Sequence, residues 1–215
     1  MKLPAHVFHL AEEPNVRSIQ QHGLLSASAL LDLAGIEGEE RAQFERQQRP
    51  VHISLPNGVH LRDQQPMPSQ ALAHCLIGMD PAGWYGLINS KVFFWLDPDR
   101  LNRQRHACEP RPQIVLTLDT KRLLDRHGDA VSLSPINSGN ARRKPALRGL
   151  STFVPYAQWL ESGWDSEAAG LGTRTRSRGH RPVELTVKGA VPDIMSLVVG
   201  LCRLGSGESF CGSSC

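Results

Sequence analysis

Short apolar or alternating runs, separated by segments of helical periodicity, cover most of the chain. The continuous apolar run at 92–96 is typical of a strand buried on both faces, and we expect it at the centre of a sheet. Period-two alternation predicts further strands at 7–10, 51–55, 114–118, 131–133, 152–153 and 183–187. Helical periodicity predicts helices at 14–22, 29–33, 38–48, 70–77, 81–88, 120–127 and from Asp99 onward. Together these elements predict an α+β fold with a central mixed or antiparallel sheet and flanking helices.

A chain of 215 residues has the length of one domain with a substantial core. We find no internal repeat and no second domain, so we expect a single domain over 1–204. The last residues, 205–215, are rich in Gly, Ser and Cys and predict a flexible tail. Cys211 and Cys215 in this tail are equally compatible with a disulfide and with free thiols.

Composition narrows the class of protein. Hydrophobic residues make up 40% and charged residues 21% of the chain, which is typical of a soluble globular protein. The first residues lack an apolar signal core and no apolar run reaches membrane-spanning length, so we expect a cytoplasmic protein with no membrane partner. The five cysteines form no CxxC pair and show no zinc-type spacing with histidine, which predicts no metal site.

Several common enzyme classes leave no trace in the sequence. It contains no GxxxxGKS/T phosphate loop, no GxGxxG, no HExxH and no GxSxG motif. Kinase, Rossmann dehydrogenase, zinc protease and serine hydrolase functions therefore have no support.

Positive charge is unevenly distributed along the chain. The net charge is only +3, but two basic groups fall between 142 and 181. Such clusters are either ordinary solvated surface or an electrostatic footprint for a phosphate-bearing partner. The basic residues are Arg142, Arg143, Lys144 and Arg148 in the first group, and Arg174, Arg176, Arg178 and Arg181 in the second.

One carboxylate, Glu184, interrupts the apolar alternation at 183–187. If the three apolar residues of this run face the core, Glu184 and Thr186 face the opposite side, which is either solvent or a site. A basic, loop-like segment at 170–181 leads into this strand. A rigid strand fed by a mobile loop is a frequent arrangement in binding and catalytic sites.

Histidine and arginine are two further residue types that could bind a ligand in this chain. His9 lies in the first predicted strand, where a histidine is either structural or able to bond a ribose or an amide. Arg41, Arg46 and Arg49 fall on one predicted polar helix, and the fork of an arginine is suited to a pyrophosphate. A polar turn at 134–141 follows a predicted strand and either positions a site or simply bends the chain.

Four segments of the chain follow one another in a characteristic order. They are Phe8-His9-Leu10 with Asn15, Ile19 and Gly23-Leu24-Leu25; Gly58 to Asp63 with Pro66; Ser134 to Ala141; and Val183 to Val187 with Val191-Pro192. This order, over about residues 7–198, resembles the DarT-type ADP-ribosyltransferases, which modify nucleobases in DNA with NAD, or a neighbouring uncharacterised family. The chain departs from the DarT pattern at Leu10 and Ala11, and at 67–69, where DarT-type proteins have aromatic residues.

The resemblance implies an ADP-ribosyltransferase-like fold and an NAD-dependent mono-ADP-ribosyltransferase that releases nicotinamide and modifies a DNA or RNA base. It implies that Glu184 is catalytic, with Arg46 as its partner and Arg49 as the rival for that role. The implied NAD-binding residues are His9, Leu10, Asn15, Gly23, Leu24 and Arg49, and the implied acceptor-binding residues are Arg174, Arg176 and Arg178.

The resemblance also implies a toxin whose partner is an antitoxin or an ADP-ribosylhydrolase. Three alternatives stay open: transfer of ADP-ribose to protein, an inactive NAD- or nucleic-acid-binding module on the same fold, and transfer of an RNA 2′-phosphate to NAD. NAD acts as co-substrate in the transferase hypothesis, and no metal is required.

Overall fold

The computed structural model describes residues 2–142 and 144–212, so Arg143 and Cys215 lie outside the described residues. The strands are β1 His6–Glu12, β2 Leu24–Leu25, β3 Ile53–Ser54, β4 His60–Leu61, β5 Lys91–Trp95, β6 Gln113–Asp119, β7 Val131–Ser134, β8 Val154–Pro155, β9 Glu184–Lys188, β10 Ala190–Val191 and β11 Val198–Leu204. The α-helices are α1 Val16–His22, α2 Ala27–Leu33, α3 Gly38–Arg46, α4 Ser69–Ala73, α5 Pro81–Asn89, α6 Pro98–Ala107, α7 Thr120–His127, α8 Tyr156–Ser162, α9 Asp165–Leu171 and α10 Ile194–Leu197. Short 3₁₀ helices cover Glu13–Asn15, Gly128–Ala130 and Leu150–Thr152.

Seven strands form one sheet in the order β11-β6-β1-β5-β9-β7-β8, and every pairing in it is antiparallel. The predicted α+β class is confirmed, and of the two sheet types that we expected the antiparallel one is found. Strand β5 is fourth of the seven, which confirms the prediction of a central strand. Its Val92 and Phe94 are buried in the largest apolar core, together with Leu185 and Val187 of β9.

The sheet is nearly divided between β1 and β5. Strand β1 pairs with β6 along its whole length, and β5 pairs with β9 along its whole length. Between β1 and β5 the register contains one pair only, Phe8 with Trp95. Beyond this pair, the backbone N–H and C=O groups of β1 and β5 do not bond to one another. A cleft opens between the two strands at this point.

Capping residues determine where several helices begin. The Asp97 carboxylate accepts from the Arg100 N–H at 2.8 Å and starts α6, and Asp119 accepts from the Arg122 N–H at 2.9 Å and starts α7. A side-chain oxygen at this position satisfies a helix N–H that has no partner within the helix. Helix α7 has the bounds that its sequence predicts. Among the described helices, none combines the length and the apolar character that a bilayer span requires.

Other elements differ from their sequence patterns. The predicted helix at 38–48 ends at Arg46, so Arg49 lies beyond it in the following loop. The strand expected at 152–153 begins at Val154, because the preceding residues form a 3₁₀ helix. The edge strand β11 has no counterpart in the sequence prediction. Its Gly200 interrupts the alternation and coincides with a register shift against β6.

The segment expected to be a flexible tail packs on the domain as far as it is described. Phe210 is 5% exposed and makes an edge-to-face contact with Phe8, with ring centroids 5.3 Å apart. Asn102 of α6 accepts from the Phe210 N–H at 2.8 Å and donates to its carbonyl at 2.9 Å. Cys211 is an exposed free thiol. The described part of the tail thus packs against α6 and against β1.

We expect Phe210→Ala to lower the free energy of unfolding by about 3 kcal/mol, because it empties a buried aromatic site. Urea denaturation followed by circular dichroism measures this change. The matched control is Leu150→Ala, at a side chain that is 70% exposed, where the change should stay within about 0.5 kcal/mol. Equal effects of the two substitutions would show that the tail does not pack in solution.

Candidate active site

A cleft of about 530 Å³ lies where β1 and β5 separate. This volume falls within the usual range of small-molecule sites. Its lining brings together all four sequence segments that we singled out. Their lining residues include His9, Asn15 and Gly23 from the first, Val59 and Pro66 from the second, Asn137 to Asn140 from the third and Glu184 from the fourth.

Hydrogen bonds join these segments to one another. Asn15 donates through Nδ2 to the His60 carbonyl at 2.9 Å and accepts through Oδ1 from the His60 N–H at 2.7 Å. The Ala141 N–H donates to the Pro66 carbonyl at 2.8 Å. Asn15, which the resemblance implies as an NAD ligand, therefore uses both ends of its amide to hold β4 at the cleft wall. Asn15 lines the cleft, and both of these contacts are structural.

Gly23 is required by a close approach of two backbone segments. It has φ of +79°, and a Cβ at this position would lie 2.4 Å from the Pro192 Cα. Leu24 follows in β2 and pairs with Val191 of β10. The glycine of the first segment and the proline of the fourth are therefore in contact, and a larger residue at 23 would push apart one end of the cleft.

The carboxylate of Glu184 is buried in the cleft. Glu184 opens β9, where its strand neighbours are Trp95 of β5 and Ser134 of β7. It is 4% exposed, which excludes the solvated alternative. Both carboxylate oxygens accept from the Ser138 N–H, at 3.1 and 3.2 Å. Among the described residues, none forms an ion pair with Glu184.

Burial sets the protonation of this carboxyl group. Desolvation raises the pKa of Glu184 from 4.5 to about 7, against the side-chain and backbone hydrogen bonds from Ser138 and the positive charges of Arg148 and Arg100, which lower it. A buried carboxyl group whose pKa lies near 7, and which has no ion-pair partner among the described residues, is typical of a functional site rather than of a stabilising ion pair. At neutral pH it can be present in either charge state.

His9 borders the same cleft as a neutral ring. Its Nδ1 lies 2.8 Å from the Phe93 carbonyl, so Nδ1 carries the proton and donates, which leaves Nε2 as an acceptor. Burial lowers the pKa of His9 to about 4, although the bond to Phe93 opposes this. The side chain is suited to accept a hydrogen bond from a hydroxyl or amide of a ligand. Leu10 and Leu24 line the cleft beside it.

The structure separates the two arginines that were rivals for the catalytic role. Arg46 ends α3, is exposed and does not line the cleft, whereas Arg49 is buried and lines it. The chain leaves the helix at Gln47, and only the later arginine turns inward. Arg49 donates to the Phe44 carbonyl at 2.6 Å and to Asn89 Oδ1 at 3.1 Å. Burial lowers the pKa of Arg49 to about 10, so it remains charged at neutral pH.

The basic segment at 170–181 lies apart from the cleft lining. Arg176 forms a two-pronged ion pair with the buried Glu167, with nitrogen–oxygen distances of 3.0 Å. This pair anchors the segment, so Arg176 has a structural contact rather than a free charge. Arg174 and Arg178 are exposed on either side of it, and neither lines the cleft.

Three groups at the cleft were missed by the sequence patterns. Asn89, at the end of α5, accepts from Arg49 and from Gln64 and is buried. Arg100 and Arg103 of α6 line the same cleft as Glu184. An asparagine three residues before the start of the apolar run at 92–96 is a usable signal for Asn89. The two arginines carry no such signal, because only the fold brings α6 to the cleft.

Buried ionic contacts complete the wall on the β1 side. Arg62 donates to the Glu12 carboxylate at 3.0 Å, and Arg111 donates to its other oxygen at 3.3 Å. Burial by itself would raise the pKa of Glu12, but the two arginines and Gln113 outweigh it and lower the pKa. Among the described residues, no three His, Cys, Asp or Glu side chains converge to hold a metal ion.

A protein-family model matches residues 5–198 of this chain. It describes DUF7002, a family of unknown function. The chain is a member of the DUF7002 family. No curated protein matches the sequence of this family member.

Solved structures of DarT proteins share features of the DUF7002 fold. A structure of Thermosipho africanus DarTG with ADP-ribose matches with 9% identity and a TM-score of 0.48, over 92% of this chain and 43% of that chain. Thermus sp. 2.9 DarT with NAD+ matches with 12% identity and a TM-score of 0.41, over 93% and 83% of the two chains. The same DarT with ADP-ribosylated ssDNA gives a TM-score of 0.43 at 12% identity, over 94% of this chain and 83% of that chain. The DUF7002 chain spans less than half of the DarTG chain, and matches this distant carry no information about activity.

Glu184→Gln should change the pH dependence of stability. Because the folded pKa of about 7 exceeds the ordinary value of 4.5, the protonated carboxyl group stabilises the fold below pH 4.5 and this contribution is lost as pH rises through 7. We expect the free energy of unfolding of the variant, relative to that of wild type, to rise by about 2–3 kcal/mol from pH 5 to pH 8. Urea denaturation of both proteins at the two pH values measures the difference. Parallel pH profiles would contradict the burial of an ionisable carboxyl group at this position.

Proposed function

We propose that this protein is an NAD-dependent mono-ADP-ribosyltransferase with Glu184 as its catalytic carboxylate. The observation that carries the proposal is a buried carboxylate without an ion-pair partner among the described residues, at a cleft with an excess of basic residues. Five Lys or Arg and three Asp or Glu are among the described lining residues. Such a cleft favours an anionic ligand that develops positive charge near Glu184, and NAD has both properties. The four motif segments, which resemble the DarT-type enzymes, meet in this cleft.

The chemistry follows from the position of the carboxylate. The bond between nicotinamide and the anomeric carbon of the ribose breaks, and its electron pair leaves with nicotinamide. Positive charge then develops on the ribose, and the ionised Glu184 stabilises it. A nucleophile of the acceptor attacks the anomeric carbon and loses its proton, which completes the transfer. The Ser138 N–H holds the carboxylate in one orientation during these steps.

Other residues of the cleft would bind the parts of NAD. His9 Nε2 is an acceptor suited to a ribose hydroxyl or to the nicotinamide amide. Arg49 keeps its charge and offers the guanidinium N–H groups that Phe44, Arg62 and Asn89 leave unbonded. We therefore place Arg49, rather than Arg46, near the pyrophosphate.

For the acceptor we propose a DNA or RNA base. Arg100, Arg103, Gln104 and Ala107 lie on one face of α6, because they are spaced by three or four residues, and all line the cleft. Arg103 is exposed on this face, whereas Arg100 also pairs with Asp97 at 3.0 Å. This face offers phosphate contacts in the lining of the cleft that holds Glu184, whereas Arg174 and Arg178 do not line it. A toxin role, with an antitoxin or ADP-ribosylhydrolase as partner, is part of the same proposal.

Nicotinamide release from NAD tests the activity. We expect release by wild type to rise with pH, with a midpoint near 7, because the reaction needs the ionised form of Glu184. Glu184→Gln should lose at least about 100-fold in rate at pH 8, since it cannot become negative. Chromatographic quantification of nicotinamide measures both. If folded wild type releases no nicotinamide with DNA, RNA or protein present, the transferase proposal is contradicted. The inactive binding module is then the remaining alternative.

Labelled NAD identifies the acceptor class. Mass spectrometry after incubation with DNA, RNA and total protein should find ADP-ribose on a nucleobase. Label on protein alone would contradict the nucleic-acid proposal and support the protein-modifying alternative. Dependence on a 2′-phosphorylated RNA would instead support phosphate transfer to NAD.

Charge reversal locates the acceptor. We expect Arg103→Glu to weaken the binding of a single-stranded oligonucleotide about tenfold at low salt and to reduce the salt dependence, because a phosphate contact is lost. The matched control is the double variant Arg174→Glu and Arg178→Glu, which should stay within about twofold of wild type. Fluorescence anisotropy measures both. A larger loss in the control would place the acceptor on the segment at 170–181, as the sequence resemblance implies.

A further inference from the structure

Arg148 is a buried cation that the cleft chemistry described above does not use. It is 2% exposed, and its guanidinium lies 5.7 Å from the centroid of the Trp84 ring. Among the described residues, no carboxylate lies within ion-pair distance of it. A buried arginine without a carboxylate partner is costly, so a structure keeps it only where its charge or its donors serve another group.

The side chain and the backbone of Arg148 are both fixed. Nη1 donates to the Ser138 carbonyl at 3.1 Å, and Nε donates to the Ala146 carbonyl at 3.1 Å. The Arg148 N–H donates to the Cys75 carbonyl, and its own carbonyl accepts from the Ile77 N–H, each at 2.8 Å. The backbone of Arg148 is thus fixed by residues 75 and 77, and its guanidinium is bonded to the Ser138 turn.

Ser138 connects this cation to the proposed catalytic carboxylate. Its carbonyl accepts from Arg148, and its N–H donates to both oxygens of Glu184. Ser138 is 1% exposed, so no solvent replaces either bond. Any movement of the turn that breaks the bond to Arg148 also moves the Ser138 N–H that donates to Glu184. The positive charge of Arg148 also acts on Glu184 through space.

We propose that Arg148 is a positioning residue, which holds the turn at 137–140 so that the Ser138 N–H faces Glu184 and whose charge favours the ionised carboxylate. Arg148 contacts neither Glu184 nor the cleft. The inference depends on the proposed function only where it calls Glu184 catalytic. The link among the three residues is a property of the fold and can be measured without any substrate.

Nuclear magnetic resonance of the glutamate side-chain carboxyl carbons, titrated between pH 4.5 and 9, tests the link. Glu184→Gln identifies the resonance. We expect Arg148→Met to raise the pKa of Glu184 by about 1 above its wild-type value of about 7, because a nearby positive charge and a fixed donor are lost. The matched control is Arg105→Met, which removes another fully buried arginine, one whose donor reaches the Gly205 carbonyl, and should leave Glu184 unchanged.

A conservative variant covers the case in which Arg148→Met does not fold. Arg148→Lys keeps the charge but cannot reach the Ser138 and Ala146 carbonyls with one planar fork. It should raise the pKa of Glu184 by less than Arg148→Met does. An unchanged Glu184 titration in a folded Arg148 variant, or an equal shift in Arg105→Met, would overturn the inference.

Kinetics separate this inference from the proposed activity. If the protein releases nicotinamide, the midpoint of its pH–rate profile should move upward by the same amount in the Arg148 variant as the carboxyl titration does. At neutral pH the variant should lose rate through a lower kcat, with KM within about twofold of wild type, because Arg148 does not line the cleft. A protein that shows the titration shift but releases no nicotinamide would retain the positioning link and contradict only the enzymatic proposal.

Discussion

The single pairing of Phe8 with Trp95 is the constraint on which the rest of this structure depends. It joins the strands β11, β6 and β1 to the strands β5, β9, β7 and β8, and the next residues of β1 and β5 make no further register pairs. A continuous antiparallel ladder would use those backbone groups and leave no cleft. The separation instead places His9 and Phe93 in the lining of the cleft, where the His9 side chain donates to the Phe93 carbonyl in place of a backbone ladder bond. The packed tail supports this junction, because Phe210 contacts Phe8.

Electrostatics determine what the cleft can do. Some of the charges that line it are neutralised in pairs, as for Glu12 with Arg62 and Arg111 and for Arg100 with Asp97. Glu184 differs, because among the described residues it has hydrogen bonds from Ser138 but no ion-pair partner. The free energy that its burial costs above neutral pH is consistent with a site in which stability is given up for reactivity. A ligand that becomes positive beside the carboxylate would recover part of that cost.

Local sequence predicts the elements better than it predicts the site. The apolar run at 92–96 indicates the central strand, and Asp119 marks the start of α7, because burial and capping are local signals. The position of Glu184 in an alternating run also indicates its importance. The arginines are predicted poorly, since an exposed and a buried arginine look alike in sequence. Only the fold distinguishes Arg46, which is exposed, from Arg49 and Arg148, which are buried.

The position of a bound NAD analogue is the most direct test of the central claim. We expect a crystal structure with carba-NAD, which keeps the shape of NAD but resists cleavage, to place the ligand between β1 and β5. Its pyrophosphate should lie near Arg49 and its nicotinamide-side ring near Glu184 and His9. An analogue bound elsewhere, or a folded protein that binds none at saturating concentration, would contradict the account.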